Sequence, residues 1–431
     1  MSDQWQQRSL ASIGSYENGF AFNELHWSEH GLPIIRIAQI TGSQGIVDLF
    51  PGMLPDSYRI DDGDLIFSWS GTLAVVRWSG GPAWLNQHLF KVVPADGIDR
   101  SFLFHVLQAS VAEMGKRTHG STMKHIKRGE LREFLVEIPG NEREQRKIAQ
   151  ILDTLDTAIL ETEALIDKLK AVKQGLLHDL LTRGIDTNGQ LRPPQSEAPQ
   201  LYKESPLGLI PREWEVVTLG EISSRAGGLL QTGPFGSQLH AHEYVADGIP
   251  VIMPQDMVNG ELSVESIARI TQRKAVVLSR HRVRPNDLVF SRRGDLSRCV
   301  AIEDMHEGWL CGTGCLLARL PAGEINGYWL SLVYPQRGVQ SQVMGRAVGS
   351  TMANLNTSIL AAITIARPDI AEQDEIARRL KSVGQRIASE ERLLAKMKLE
   401  KTGLMDDLLT GRIRVTPLLE SAQQPAAQTG A

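Results

Sequence analysis

The chain has 431 residues, 42% apolar, 22% charged and 6% aromatic, with three cysteines. That length fits about two to four domains, and the composition excludes a collagenous, disulfide-stapled or wholly disordered chain. Forty-six Lys and Arg against fifty Asp and Glu leave a formal charge of -4, so a nucleic-acid, membrane or acidic partner has to be argued from local patches.

Met1-Ser-Asp-Gln-Trp-Gln-Gln-Arg8 lacks the basic-then-apolar order of a secretory signal. The longest uncharged stretch, Ala347 to Ala366, contains Gly349, Ser350, Thr351, Asn354, Asn356, Thr357 and Ser358 and is too polar to span a bilayer. Cys299, Cys311 and Cys315 make an odd set without a paired framework. The expectation is a cytoplasmic protein.

In chain order, residues 1–142 alternate short apolar runs with turn signals. Gly31 to Ile37, Asp61 to Phe67 and Leu89 to Pro94 predict strands, and Ser101 to Met114 predicts a helix. Gly115 to Arg132 holds Lys116, Arg117, Lys124, Lys127, Arg128 and Arg132 against Glu130, a local balance of +5 (six minus one). Residues 143–185 predict a long helix. Its apolar positions Ile148, Leu152, Leu155, Ile159, Ile166, Leu169, Leu176 and Leu180 follow steps of three and four, broken by Thr162 and Lys173.

Residues 186–212, with Pro193-Pro194, Pro199, Pro206 and Pro211, read as a linker. Residues 213–371 repeat the front pattern, with strands predicted at Ile249 to Ile252, Pro285 to Phe290 and Cys315 to Leu320 and a helix near Ile325 to Tyr334. Between Arg269 and Arg298, Arg269, Arg273, Lys274, Arg280, Arg282, Arg284, Arg292, Arg293 and Arg298 face Asp287 and Asp295, a balance of +7 (nine minus two). Residues 372–415 predict a second long helix with the seam Ile376, Leu380, Val383, Ile387, Leu394, Met397, Leu404 and Leu408, and residues 416–431 read as a disordered tail.

The chain is therefore two diverged copies of one unit. Residues 144–185 laid on 372–413 give 18 identities in 42 positions at a constant shift of 228. Further forward, Gly120-Ser-Thr-Met123 matches Gly349-Ser-Thr-Met352, Asp64 to Ser68 matches Asp287 to Ser291, and Trp5 matches Trp214 at a shift that drifts. A loop-rich α+β module precedes a rigid rod in each copy. Two rods sharing one frame predict a coiled coil of roughly 50 Å at 1.5 Å per residue. Ile151, Leu165, Val172 and Leu393 widen the apolar stripes and are candidates for docking partner subunits.

Catalytic signals are absent. No nucleotide-binding Gly-Lys-Ser/Thr loop occurs, and Gly312-Thr-Gly314 lacks the rest of a dinucleotide fingerprint. Cys299, Cys311, Cys315 and His306 lack zinc-ligand spacing and read as buried, and Asp61-Asp62-Gly-Asp64 reads as a turn. Pro193-Pro194, the one Pro-Pro pair, lies in the linker and does not form an amino-methylase patch. The basic patches fit DNA better. They lie among Ser68, Ser70, Asn86, Gln87, His88, Ser121 and Thr122 in one module and Ser291, Thr313, Thr351, Asn354 and Asn356 in the other. The DNA-binding candidates are Ser68, Ser70, Gln87, His88, Lys116, Arg117, Ser121, Thr122, Lys124, Lys127, Arg273, Lys274, Ser291, Arg292, Arg293, Arg298, Thr313, Thr351, Asn354 and Asn356. No residue is a candidate catalyst or metal ligand.

Tyr202-Lys-Glu-Ser-Pro-Leu-Gly-Leu-Ile-Pro-Arg-Glu-Trp-Glu-Val-Val-Thr-Leu-Gly-Glu-Ile222, the two Gly-Ser-Thr-Met loops and the two Glu-Gln…Ile-Ala helices ending in Asp-Leu-Leu-Thr resemble the DNA-specificity subunits of type I restriction-modification systems over nearly the whole chain. The resemblance implies two α+β target-recognition domains, each reading half of a bipartite site in double-stranded DNA, held apart by the two helices paired as an antiparallel coiled coil. It also implies docking of two methyltransferase subunits and of an endonuclease/translocase subunit. S-adenosylmethionine, ATP and magnesium would serve those partners, and this chain would need no cofactor of its own. Half-sites one helical turn apart, ~34 Å, match the order of length of the rods. Because the modules share few residues outside the framework, the expected target is asymmetric.

Two departures bear on residue transfer. The lead Pro-Leu-Gly before Trp214 has no match before Trp5, and Lys124-His-Ile-Lys127 becomes Ala353-Asn-Leu-Asn356 in the second copy. The alternative readings are a scaffold whose helices dock partners without reading DNA and a DNA-modifying enzyme with an unrecognised centre.

Overall fold

The computed structural model describes residues 4–43, 46–117, 128–225, 228–347 and 354–421. It divides into two compact units, Met1–Leu165 with Glu390–Ala431 and Ile166–Ser389. Each unit contains one α+β module and half of each long helix, so the chain leaves the first unit along one helix and returns along the other.

In the first unit a four-stranded antiparallel sheet is ordered Gly14–Asn18, Leu89–Pro94, Leu65–Ser68, Ala74–Arg77. A second sheet joins Leu49–Phe50, Leu32–Ile35, Ala83–Leu85 and Arg59–Ile60 through one parallel pair, Ile34 beside Trp84. The second unit repeats both. Leu229–Thr232, Cys315–Arg319, Leu288–Ser291 and Cys299–Ala301 form the antiparallel sheet. Val251 beside Leu310 is the parallel pair of the other. A short antiparallel pair closes each module, Trp5–Ser9 with Leu135–Pro139 and Glu215–Thr218 with Thr364–Arg367. A parallel pair needs a crossover, which is why strands distant in sequence meet in the same way in both copies. The module helix runs Arg100–Arg117 in the first unit and is split into Gly327–Val333 and Arg337–Ala347 in the second.

The long helices are Glu142–Thr182 and Ile370–Leu409. Their heptad positions Ile148, Leu152, Ile159, Ile166 and Leu180, and Ile376, Leu380, Ile387 and Leu408, are buried. In the first unit the halves run antiparallel, since Glu144 meets Arg414, Asp156 meets Lys401 (2.5 Å) and Glu163 meets Lys398 (2.6 Å). In the second unit Lys173 lies beside Gly384 while Ile185 N–H donates to Glu372 (2.8 Å), again antiparallel.

The repeated Glu-Gln pair explains how each module is fixed to its helix. Gln145 donates to the carbonyls of Pro139 (3.0 Å) and Gly97 (3.1 Å) and accepts from Asp99 N–H (2.8 Å). Gln373 does the same with Pro368 (3.0 Å), Glu324 (2.9 Å) and Asn326 N–H (3.0 Å). Both amides are buried, so each is fully satisfied where an apolar residue would orphan three backbone groups. The preceding glutamates hold the returning chain. Glu372 accepts from Arg192 at 2.5 and 3.1 Å and from the Trp214 indole at 3.1 Å, and Glu144 accepts two bonds from Arg414 at 2.7 and 2.8 Å. Gly184 (φ +62°) and Gly411 (φ +70°) follow the two helices, and a Cβ at either would strike Trp214 or Trp5, so left-handed geometry and close packing both demand glycine.

The Pro-rich segment read as a linker is folded. It contains the hairpin Tyr202–Ser205 with Gly208–Pro211, a Tyr202 hydroxyl bond to Pro193 O (2.7 Å) and the buried Arg192. Its composition masks this because the stabilising contacts are made with a helix about 180 residues away in sequence. In the predicted tail, Thr416–Ser421 is a short helix and residues 422–431 lie outside the described residues. No helix among the described residues is long and apolar enough to cross a membrane.

Candidate nucleic-acid interface

Both modules carry the same turn at the end of the same central strand. Ser68 ends Leu65–Ser68 and its hydroxyl donates to Ser70 O (3.3 Å), and Ser291 ends Leu288–Ser291 and its hydroxyl donates to Arg293 O (2.8 Å). Both serines are fully buried. Their hydroxyls therefore shape the turn, and the side chains after them form the surface.

Around the first turn, Ser70 is buried, Gln87 is half-buried and His88 is exposed. The Gln87 amide lies 3.3 Å from His88 Nε2, His88 N–H donates to Asn86 Oδ1 (3.3 Å), and Trp69 lies 5.9 Å from the His88 ring and stacks on Phe90. Trp69, absent from the sequence-derived candidates, is the ring against which His88 rests; its place between the two serines was the available signal. Lys116 and Arg117 end the module helix, but their side chains, together with Ser121, Thr122, Lys124 and Lys127, lie outside the described residues.

Around the second turn the surface is cationic. Arg292 N–H donates to Gly314 O (2.8 Å), its carbonyl accepts from Leu355 N–H (3.0 Å), and its guanidinium donates to Asn354 Oδ1 (3.1 Å). Arg293 pairs through its backbone with Asn354 and its side chain is exposed. Arg298 is tied to Asp295 (3.3 Å) and Pro254 O (3.0 Å), while hydrogen bonds from Ser297 and Arg298 hold the Asp295 carboxyl below its ordinary range. Thr313 lies 3.7 Å from Met253 Sδ. Residue 351 falls outside the described residues.

Two candidates are engaged elsewhere. Asn356 caps the helix Thr357–Ala361 by accepting from Ile359 N–H (2.8 Å). Lys274 is paired with Glu243 (2.6 Å), and the exposed Arg273 is on the same short helix Gln272–Val277. The sequence patch therefore divides into Arg292, Arg293, Arg298 and Asn354 at the turn and a separate group on that helix.

The acidic and thiol groups weighed for chemistry have structural partners. Asp64 pairs with Lys91 (2.9 Å) and its counterpart Asp287 with Arg319 (2.6 Å). The cysteines are buried, and burial pushes the Cys299 thiol well up. His105, Asp153 and Asp156 come within reach of a common point. Arg77 (2.7 Å) and His105 (2.6 Å) already hold Asp153, and Lys401 (2.5 Å) holds Asp156, so the cluster is an ion-paired clasp of strand and helices.

On the long helices, Leu165, Val172 and Leu393 are exposed, as are Leu160 and Leu399, which lie off the heptad frame and escape a seam-based reading. Ile151 is half-buried against the core of the first module.

A duplicated recognition protein is the class this arrangement defines: one backbone platform built twice, with different side chains displayed on it. Comparison with known proteins gives its family. The family model for the type I restriction modification DNA specificity domain matches residues 2–171 and again 211–399. Curated relatives include the EcoBI specificity subunit of Escherichia coli, 25% identical over 88% of this chain and 79% of that protein. The MjaVIII specificity subunit of Methanocaldococcus jannaschii is 22% identical over 87% and 84% respectively. Among solved structures, the type I restriction-modification S subunit from M. genitalium shares the fold with a TM-score of 0.61 at 15% identity, covering 95% of this chain and 96% of that one. A chain from a structure of complex assembly and conformational transition in the type I R-M system gives 0.51 at 16% identity, covering 96% and 99%. The chain belongs to the type I DNA-specificity family, and it is a recognition subunit, not a catalytic one.

Proposed function

We propose that this chain reads an asymmetric, two-part sequence in double-stranded DNA, one part per module, and brings methyltransferase and endonuclease/translocase subunits to it in the cytoplasm. The observation that carries the asymmetry is the duplicated serine turn. The same hydroxyl-to-carbonyl bond recurs at Ser68 and Ser291, yet Trp69, Gln87 and His88 surround one turn and Arg292, Arg293 and Asn354 the other. A shared backbone with unlike side chains addresses the duplex in the same way and reads different bases. Basic residues at the second turn, and the separate group on Gln272–Val277, supply sequence-independent phosphate affinity with its salt dependence.

Partner docking is assigned to Leu165, Val172 and Leu393, with Leu160 and Leu399 added, because leucines and valines on the open faces of long helices leave apolar surface to cover. The residue boundaries proposed for the modules are 1–142 and 213–371, for the helices 143–185 and 372–415, with 186–212 joining them and 416–431 as tail. The test is to map methylated adenines in the source genome with and without this gene. One split motif that vanishes on deletion is expected. An unchanged methylation pattern would reject the reading and favour a scaffold that does not read DNA.

A further inference from the structure

We propose that Arg293 reads a guanine in the half-site met by the second module, an inference that rests on the DNA-reading function above. The turn bearing Arg293 is fixed on both sides. Its carbonyl accepts from Ser291 Oγ (2.8 Å), Ser291 N–H donates to Arg298 O (3.0 Å), and the adjoining Arg292 is bonded through its backbone to Gly314 and Leu355. The backbone bridge from Arg293 to Asn354 ties the turn to a third segment.

The neighbouring cations are spoken for. Arg292 donates to Asn354 Oδ1, and Arg298 donates to Asp295 and to Pro254 O. The Arg293 guanidinium, by contrast, is exposed and makes no hydrogen bond or ion pair among the described residues. A planar fork on an immobilised backbone is suited to the paired O6 and N7 acceptors of guanine in the major groove, whereas a phosphate contact requires only a charge and tolerates a mobile stem. At the corresponding position the first module has Ser70, which is buried and uncharged, so the two half-sites differ at the bases that face these turns.

The test uses the full chain assembled with its methyltransferase subunits and a selection from a random duplex library, comparing wild type with Arg293→Lys and Arg293→Ala. The wild type should enrich a two-part motif with a fixed G–C pair in the half that exchange of residues 213–371 alters. Arg293→Lys keeps the charge but loses the fork, and it should lower preference at that one pair about ten- to a hundred-fold while leaving the rest of the motif intact. Thermal melting of both variants should match the wild type, because the side chain is exposed. Three results would overturn the proposal: no fixed G–C pair in that half, an Arg293→Lys motif identical to wild type, or uniform weakening with an unchanged motif, which would make Arg293 a phosphate contact. A wild-type assembly that enriches no motif at all would instead remove the DNA-reading function and this inference with it.

Discussion

Arg192 and Glu372 are 6% and 8% exposed, and each side chain is the other's principal counter-charge. Removing Arg192 leaves the buried Glu372 carboxylate without a counter-charge, with only the neutral Trp214 indole and Ile185 N–H still donating to it, so Arg192→Ala should destabilise the second unit by about 3–5 kcal/mol in chemical denaturation. The related Arg414 is 38% exposed and covers the 2% exposed Glu144 from the solvent side, so its removal lets water reach that carboxylate and Arg414→Ala should cost less, about 1–2 kcal/mol. A third expectation concerns acid. Burial holds the imidazoles of His105, His281 and His306 below their ordinary value. The unfolded chain takes up protons first as pH falls. Stability is thus fully present above about pH 6.5 and is lost as the pH drops through the lowered values of the folded state. Melting temperature followed from pH 7.5 to 5 should fall, and His105→Gln should make that fall shallower; an equal slope in the variant would assign the loss to other groups.

At the scale of elements, the two modules grip their helices with opposite charges. In the first unit the helix residue is Asp153, held by Arg77 and His105, and in the second the equivalent position is Lys381, which pairs with Glu303 at 2.6 Å and lies 5.7 Å from the Tyr328 ring centroid. Asp153→Lys should therefore place like charges together and destabilise the first unit by about 1–2 kcal/mol after allowance for partial exposure, and adding Arg77→Glu should recover part of that loss. The recovery, read in a double-mutant cycle, is the informative quantity. Core positions behave differently: Leu152 and Leu380 are fully buried, and truncating either to Ala should cost about 2–5 kcal/mol through the cavity left behind. On the open faces, Val172→Glu and Leu393→Glu should leave melting unchanged and weaken co-purification of the methyltransferase subunits.

For the molecule as a whole, a module is expected to be a replaceable part. Exchange of residues 1–142 for those of another family member should change one half of the motif, and both halves remaining the same would reject modular reading. The duplication, the α+β character of the modules, the long helices and their polar interruptions were legible in the residues, because heptad spacing and repeated Glu-Gln and Asp-Leu-Leu-Thr motifs are local signals. The cationic group at the second turn was legible only in part, since composition does not separate the exposed Arg293 from Lys274, which is held by Glu243, or from Asn356, whose carboxamide caps a helix. The folding of the Pro-rich segment was hidden for the same reason: Arg192 finds Glu372 only after the chain has returned along the second helix. Sequence by itself determined the repeated plan, the family and the apolar seams, all of which follow from spacing along the chain. Tertiary structure alone decided which charges are spent on partners and which face outward, because a charge is neutralised by what lies near it in space, whatever its distance in sequence.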